Sequence, residues 1–205
     1  MKNKLIFLFF GWLTIPHAMC YLLAKSRATI DKDVVRWVQC SKRVSPFRGG
    51  QSLILNLMWL LLFVKEYRNV FYLRMGWKAR LLGYLPRLSS LCIWTRSENF
   101  GAGTYIQHGI ATIISAKKVG ENCWINQQVT IGYNDSNKYG FGQPVIGNNV
   151  RVSAGAKVCG DIIVGDGSTI GLNAVVVKDV PAHSTVIPSP MMLIQENGKR
   201  VYHKL

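Results

Sequence analysis

The sequence predicts a mainly β chain, with a C-terminal half wound as a parallel β-solenoid and an N-terminal region that is helical and partly membrane-associated. Three observations carry this. From residue 113 onward an aliphatic or small residue recurs at every sixth position, apart from one interruption. The net charge of +15 is lopsided, with 16 Lys/Arg against 4 Asp/Glu in residues 1–98 and 9 against 6 in residues 99–205. Residues 5–24 form an apolar run whose only titratable group is His17.

That run approaches the roughly 20 apolar residues that cross a bilayer, but Pro16 and His17 interrupt it. No small-residue cleavage site follows it, so a cleaved leader is not expected. Over residues 29–42, Ile30, Val34, Trp37, Val38 and Ser41 share one helical face, while Lys32, Arg36, Lys42 and Arg43 lie outside it. A second apolar run, residues 53–64, is too short to span unaided. In its continuation, Arg68, Arg74, Lys78, Arg80 and Arg87 interleave with Tyr67, Phe71, Tyr72, Trp77 and Tyr84. Basic and aromatic residues so mixed suit a membrane–water interface, and a self-packed helical layer or a subunit contact is the alternative. No nucleic-acid-binding fingerprint is present, so no nucleic-acid partner is expected. The five cysteines (20, 40, 92, 123, 159) form no CxxC pair and read as reduced thiols.

In the C-terminal half the six-residue frame runs Ile113, Val119, Ile125, Ile131 and then Ile146, Val152, Val158, Val164, Ile170, Val176, Ala182. A helix cannot gather every sixth residue on one face, because successive members fall 120° apart. A chain that turns a corner every six residues can. The aliphatic residue then points inward, and a small or aliphatic residue four positions on (Cys123, Val129, Val150, Ala156, Ile162, Ser168, Ala174, Val180) fills the narrow interior. Lys117 breaks the small-residue rule, and the step from Ile106 to Ile113 is seven, so a bulge is expected after His108.

The segments IQHGIATII, INQQVTIGY and VIGNNVRVSAGAKVCGDIIVGDGSTIGLNAVVVKDVPAHS resemble the hexapeptide-repeat acyltransferases, in particular serine acetyltransferases and sugar O-acetyltransferases. The resemblance covers about residues 100–190. It implies a left-handed parallel β-helix, a homotrimer, and acetyl-CoA as co-substrate. The chain divides accordingly into a helical region (1–98), an acetyltransferase domain (99–190) and a tail (191–205).

His108 matches the family's catalytic histidine, and its near-neutral pKa suits removal of a hydroxyl proton. The excursion GYNDSNKYGFGQPV leaves the rigid frame where binding groups gather; the resemblance implies that it borders the donor and acceptor cleft between subunits, making Tyr133, Asn134, Lys138, Tyr139 and Gln143 candidates, with Tyr133, Asn134 and Gln143 toward the acceptor. For coenzyme A the matching positions are Gly132, Ala154, Gly155 and Lys178. Cys123 and Cys159 fit as small packing residues and not nucleophiles. No metal is expected, since a three-histidine zinc site needs more histidines than the coils hold.

Three departures from serine acetyltransferase bear on the acceptor. Gln107 stands where the family has an aspartate before the catalytic histidine, Gln143 where it has a histidine, and Ile93 near where it has the aspartate that orients the catalytic histidine. With the anion for serine's ammonium gone, a sugar hydroxyl of a surface polysaccharide becomes the expected acceptor, met by the amides of Gln107 and Gln143. Glu98 is the nearest acidic residue in sequence to orient His108. The expected location is the cytoplasmic face of the membrane, where acetyl-CoA is available. Serine acetylation and a non-catalytic β-helix scaffold are the alternatives.

Overall fold

In a computed structural model, residues 2–41, 52–136, 140–188, 192–196 and 199–204 are described. Short parallel strands stack into a three-faced, left-handed β-helix. The first face holds Tyr105–Ile106, Trp124–Ile125, Arg151–Val152, Thr169–Ile170 and Thr185–Val186. The second holds Leu91–Ile93, Thr112–Ile114, Thr130–Gly132, Lys157–Cys159 and Val175–Val176, and the third Lys118–Val119, Val145–Ile146 and Ile163–Val164.

Every sixth residue does point inward. Ile125, Ile131, Ile146, Val152, Val158, Val164 and Ile170 are fully buried or nearly so, and Cys123, Val129, Val150, Ala156, Ser168 and Ala174 fill the corners between them. The frame corrects at its start. The inward residue is Ile114, paired with Ile131, while Ile113 lies half-buried on the outside. The step from Ile106 is therefore eight. The bulge expected after His108 holds both extra residues, and the following corner is one residue short. That slip puts Ala116 inside and Lys117 in solvent.

Two edges of the prism turn through left-handed residues. One column is Gly103, Asn122, Asn149, Gly167 and His183; the other is Ala111, Gln128, Gly155 and Asn173. Asparagine tolerates this conformation better than most side chains. Gly155 is required, because a Cβ there would overlap the Asn173 amide.

Among the described residues, six helices precede the coils: α1 (Lys2–Phe10), α2 (Ile15–Leu22), α3 (Arg27–Cys40), α4 (Leu53–Phe63), α5 (Lys65–Met75) and α6 (Ala79–Leu82). The amphipathic face of α3 turns inward, burying Ile30, Val34 and Trp37, and the Trp37 indole donates to the Thr104 carbonyl at 2.9 Å. A buried ion pair joins α3 to α5, Asp33 to Arg74 at 3.0 Å. Arg74 also donates to the carbonyls of Ser97, Phe100 and Gly101, and Asp33 accepts from the Gly103 amide. Each polar group is thus satisfied, as burial demands. The result is one continuous core from Tyr21 to Val180.

Candidate active site

His108 owes its position to the enlarged corner. Ala111 continues the left-handed column, since the Gln128 amide donates to the carbonyl just before it. His108 is an additional left-handed residue (φ 54°), closed by a bond from the Ile110 amide to its own carbonyl. The extra turn carries the imidazole out of the regular coil to an exposed position. Beside it lies a cavity of about 150 Å³, walled by Tyr105, Ile106, Gln107 and His108 from the coil and by Trp37, Ser41, Val64 and Glu66 from the helical layer.

Gln107 is fixed. Its side-chain oxygen accepts from Trp124 Nε1 at 3.1 Å and Asn126 Nδ2 at 3.2 Å. An indole N–H can only donate, so the oxygen must face it and the amide NH₂ is the end left over. Burial pushes the Tyr105 phenol up to about 12, with Cys40 and Glu66 adding to the shift, so it stays neutral.

Of the residues expected at the site, only Gln107 and His108 line this cavity. Gln143 sits at the opposite edge of the second face, where its amide nitrogen donates to Ser115 Oγ at 3.0 Å. Tyr133 is exposed at the start of the excursion, and the backbone of Asn134 pairs with Gly142 in a small antiparallel hairpin. Lys138 and Tyr139 lie outside the described residues. The coenzyme positions also divide. Ala154 and Gly155 share the edge of His108, whereas Gly132 and the exposed Lys178 follow second-face strands onto the far edge. A Cβ at Gly132 would meet nothing within 4 Å, so the glycine keeps space open there.

Glu98 does not reach His108. It lines a separate groove with Ala28, Lys32 and Glu121, at the edge between the third and first faces. Glu66 is the carboxylate at the cavity. It is the one acidic residue between Asp33 and Glu98, embedded in the basic-aromatic run, and that isolation was the only signal available. Burial pushes the Cys123 thiol up to about 11, which suits packing and not nucleophilic attack.

No family model matches the chain. A serine acetyltransferase of Staphylococcus epidermidis is 32% identical over 149 residues, 72% of this chain and 68% of the relative. One from Synechococcus elongatus is 39% identical over 123 residues, 60% of this chain and 50% of the relative. The chain thus spans about half to two thirds of the length of such relatives. Among solved structures, serine acetyltransferase from Vibrio cholerae superposes with a TM-score of 0.60 at 26% identity, covering 82% of this chain and 66% of that one. These likenesses overturn the expectation of a sugar acceptor in polysaccharide synthesis, because the relatives carry the serine enzyme's name. The geometry gives a physical reason. The Gln107 oxygen that was to accept from a sugar hydroxyl is already committed to Trp124 and Asn126.

Proposed function

The chain belongs to the serine acetyltransferase family, and on that premise we propose that it transfers the acetyl group of acetyl-CoA to the hydroxyl of serine, with His108 as general base. The observation that carries this reading is the enlarged corner. It adds a histidine to an otherwise regular solenoid and holds it exposed at the mouth of a small cavity.

When bound, acetyl-CoA supplies an activated thioester carbonyl. Ala154 and Gly155 on the His108 edge would leave its pantetheine arm close to backbone amides, and Gly132 and Lys178, on the far edge, would meet it from the neighbouring copy, the lysine at a phosphate. His108 removes the proton from the serine hydroxyl as the oxygen attacks, then returns it to the departing sulfur. The fixed NH₂ of Gln107 offers a donor to the serine carboxylate. Gln143 and Tyr133, on the far edge of the same face, contribute through a homotrimer in which one copy's excursion reaches the next copy's His108.

His108→Asn keeps a residue that tolerates the left-handed conformation while removing the base. Thiol release from acetyl-CoA in the presence of serine should fall by about 10²-fold or more, with the melting temperature and oligomeric state preserved. Wild-type turnover in that variant would overturn the mechanism.

The basic, apolar helical region supports a further proposal, that the enzyme works at the cytoplasmic face of the membrane. Leu8 and Phe9 of α1, Trp12 of the 3₁₀ turn Gly11–Thr14, Met19 of α2 and Leu23 just after it are exposed, and interfacial helices present such residues to lipid.

A further inference from the structure

Serine carries an ammonium as well as a carboxylate and a hydroxyl, and a site that selects it needs an anion. The coil position that would supply one does not, since Gln107 is neutral. Within the cavity beside His108 the one carboxylate among the described residues is Glu66, which arrives from α5.

Its placement is built in. Gly109, the residue after His108, is buried, and a Cβ there would come within 3.4 Å of Glu66 Cγ and within 3.0 Å of Ile106 and Leu91. The missing side chain lets the first turn of α5 lie against the catalytic corner. Glu66 is only half-buried and makes no hydrogen bond or ion pair among the described residues. The nearby cation whose ionisation it supports, Arg68, is buried and directs Nη1 to the Leu61 carbonyl at 3.1 Å. An uncommitted carboxylate in a pocket is an invitation to a cation. The pocket suits a small one, at about 150 Å³.

We propose that Glu66 is the specificity determinant of the acceptor site, receiving the ammonium of serine while Gln107 takes its carboxylate and His108 its hydroxyl. This rests on the serine reading. The anion has moved from the coil to the helical layer, so the acceptor is held between the two parts of the chain.

Steady-state kinetics on the full chain test it, using L-serine and 3-hydroxypropanoate, which is serine without its ammonium. In Glu66→Gln the KM for serine should rise at least tenfold, as for loss of a charged hydrogen bond. The kcat and the KM for acetyl-CoA should stay within about threefold, a smaller change than that loss would cause, and Glu66→Asp should recover part of the affinity. The preference for serine over 3-hydroxypropanoate should collapse in Glu66→Gln. An active parent whose KM for serine is unchanged by Glu66→Gln overturns this inference alone. So does a fall in kcat with a shifted pH profile at constant KM, which would assign Glu66 to His108 instead. A parent that transfers nothing to serine overturns the acceptor reading and this inference with it.

Discussion

At the scale of single residues, the groups that matter are those whose polar atoms have nowhere else to go. His17 is fully buried, with Nε2 3.1 Å from the Leu82 carbonyl and from the Tyr72 hydroxyl, and its ring packs against Phe71, Tyr72 and Tyr84. A carbonyl can only accept, so Nε2 carries the proton in the neutral ring. Burial lowers its pKa to about 4, the Leu82 bond opposing and Arg68 assisting. The unfolded chain therefore binds a proton that the folded chain refuses between about pH 6.5 and pH 4. Stability from this residue is complete above that window and is lost as the pH falls through it. The urea midpoint should drop between pH 7 and pH 5, and His17→Phe should flatten that drop. An unchanged slope in the variant would remove His17 as its cause.

At the scale of elements, the corner at residues 107–111 joins fold and chemistry. Gly109→Ala places a methyl group 3.0 Å from side-chain carbons of both Ile106 and Leu91, so these side chains must give by a few tenths of an ångström. Denaturation should show a loss of about 1–3 kcal/mol, the usual cost of overpacking, together with weaker serine binding. Wild-type stability would mean that the corner is looser than its contacts imply. The same corner marks where the sequence stops being readable. The hexad pattern was legible because each inward position in a narrow prism accepts only β-branched or small side chains, and those positions recur in plain view. The two-residue expansion was legible only as a broken step, which is why Ile113 and Lys117 were assigned inward in place of Ile114 and Ala116. His108 showed itself through local spacing. Glu66 did not, because it joins the site by packing between segments 42 residues apart, and no periodicity records that contact. The Gln107 amide misled for a related reason: Trp124, one coil away, decides which of its ends is offered.

At the scale of the whole molecule, the charge asymmetry and the apolar N-terminus both bear on the proposed membrane attachment. Among the described residues, Asn3–Leu22 is the stretch apolar and long enough to cross a membrane, yet it is broken by a 3₁₀ turn at Gly11–Thr14 and anchored to α5 through His17. Attachment in the plane of an anionic surface accommodates both facts. On that proposal, fractionation should leave the protein with membranes in high salt and release it in alkaline carbonate. Release by salt alone would reduce the contact to charge, and retention in carbonate would require a spanning helix.

The buried pair of Asp33 and Arg74 also ties the completion of the helical layer to the first coil. Its carbonyl and amide partners come from residues 97–103, which leave the ribosome only after the whole helical layer has been made. Until then a guanidinium and a carboxylate meant for a dry interior stay wet, and the apolar faces of α3 and α5 have no coil to cover them. Synthesis thus passes through an interval of exposed, basic, sticky chain. A nearby lipid surface or chaperone would shelter the nascent polypeptide until the first turn of the prism emerges.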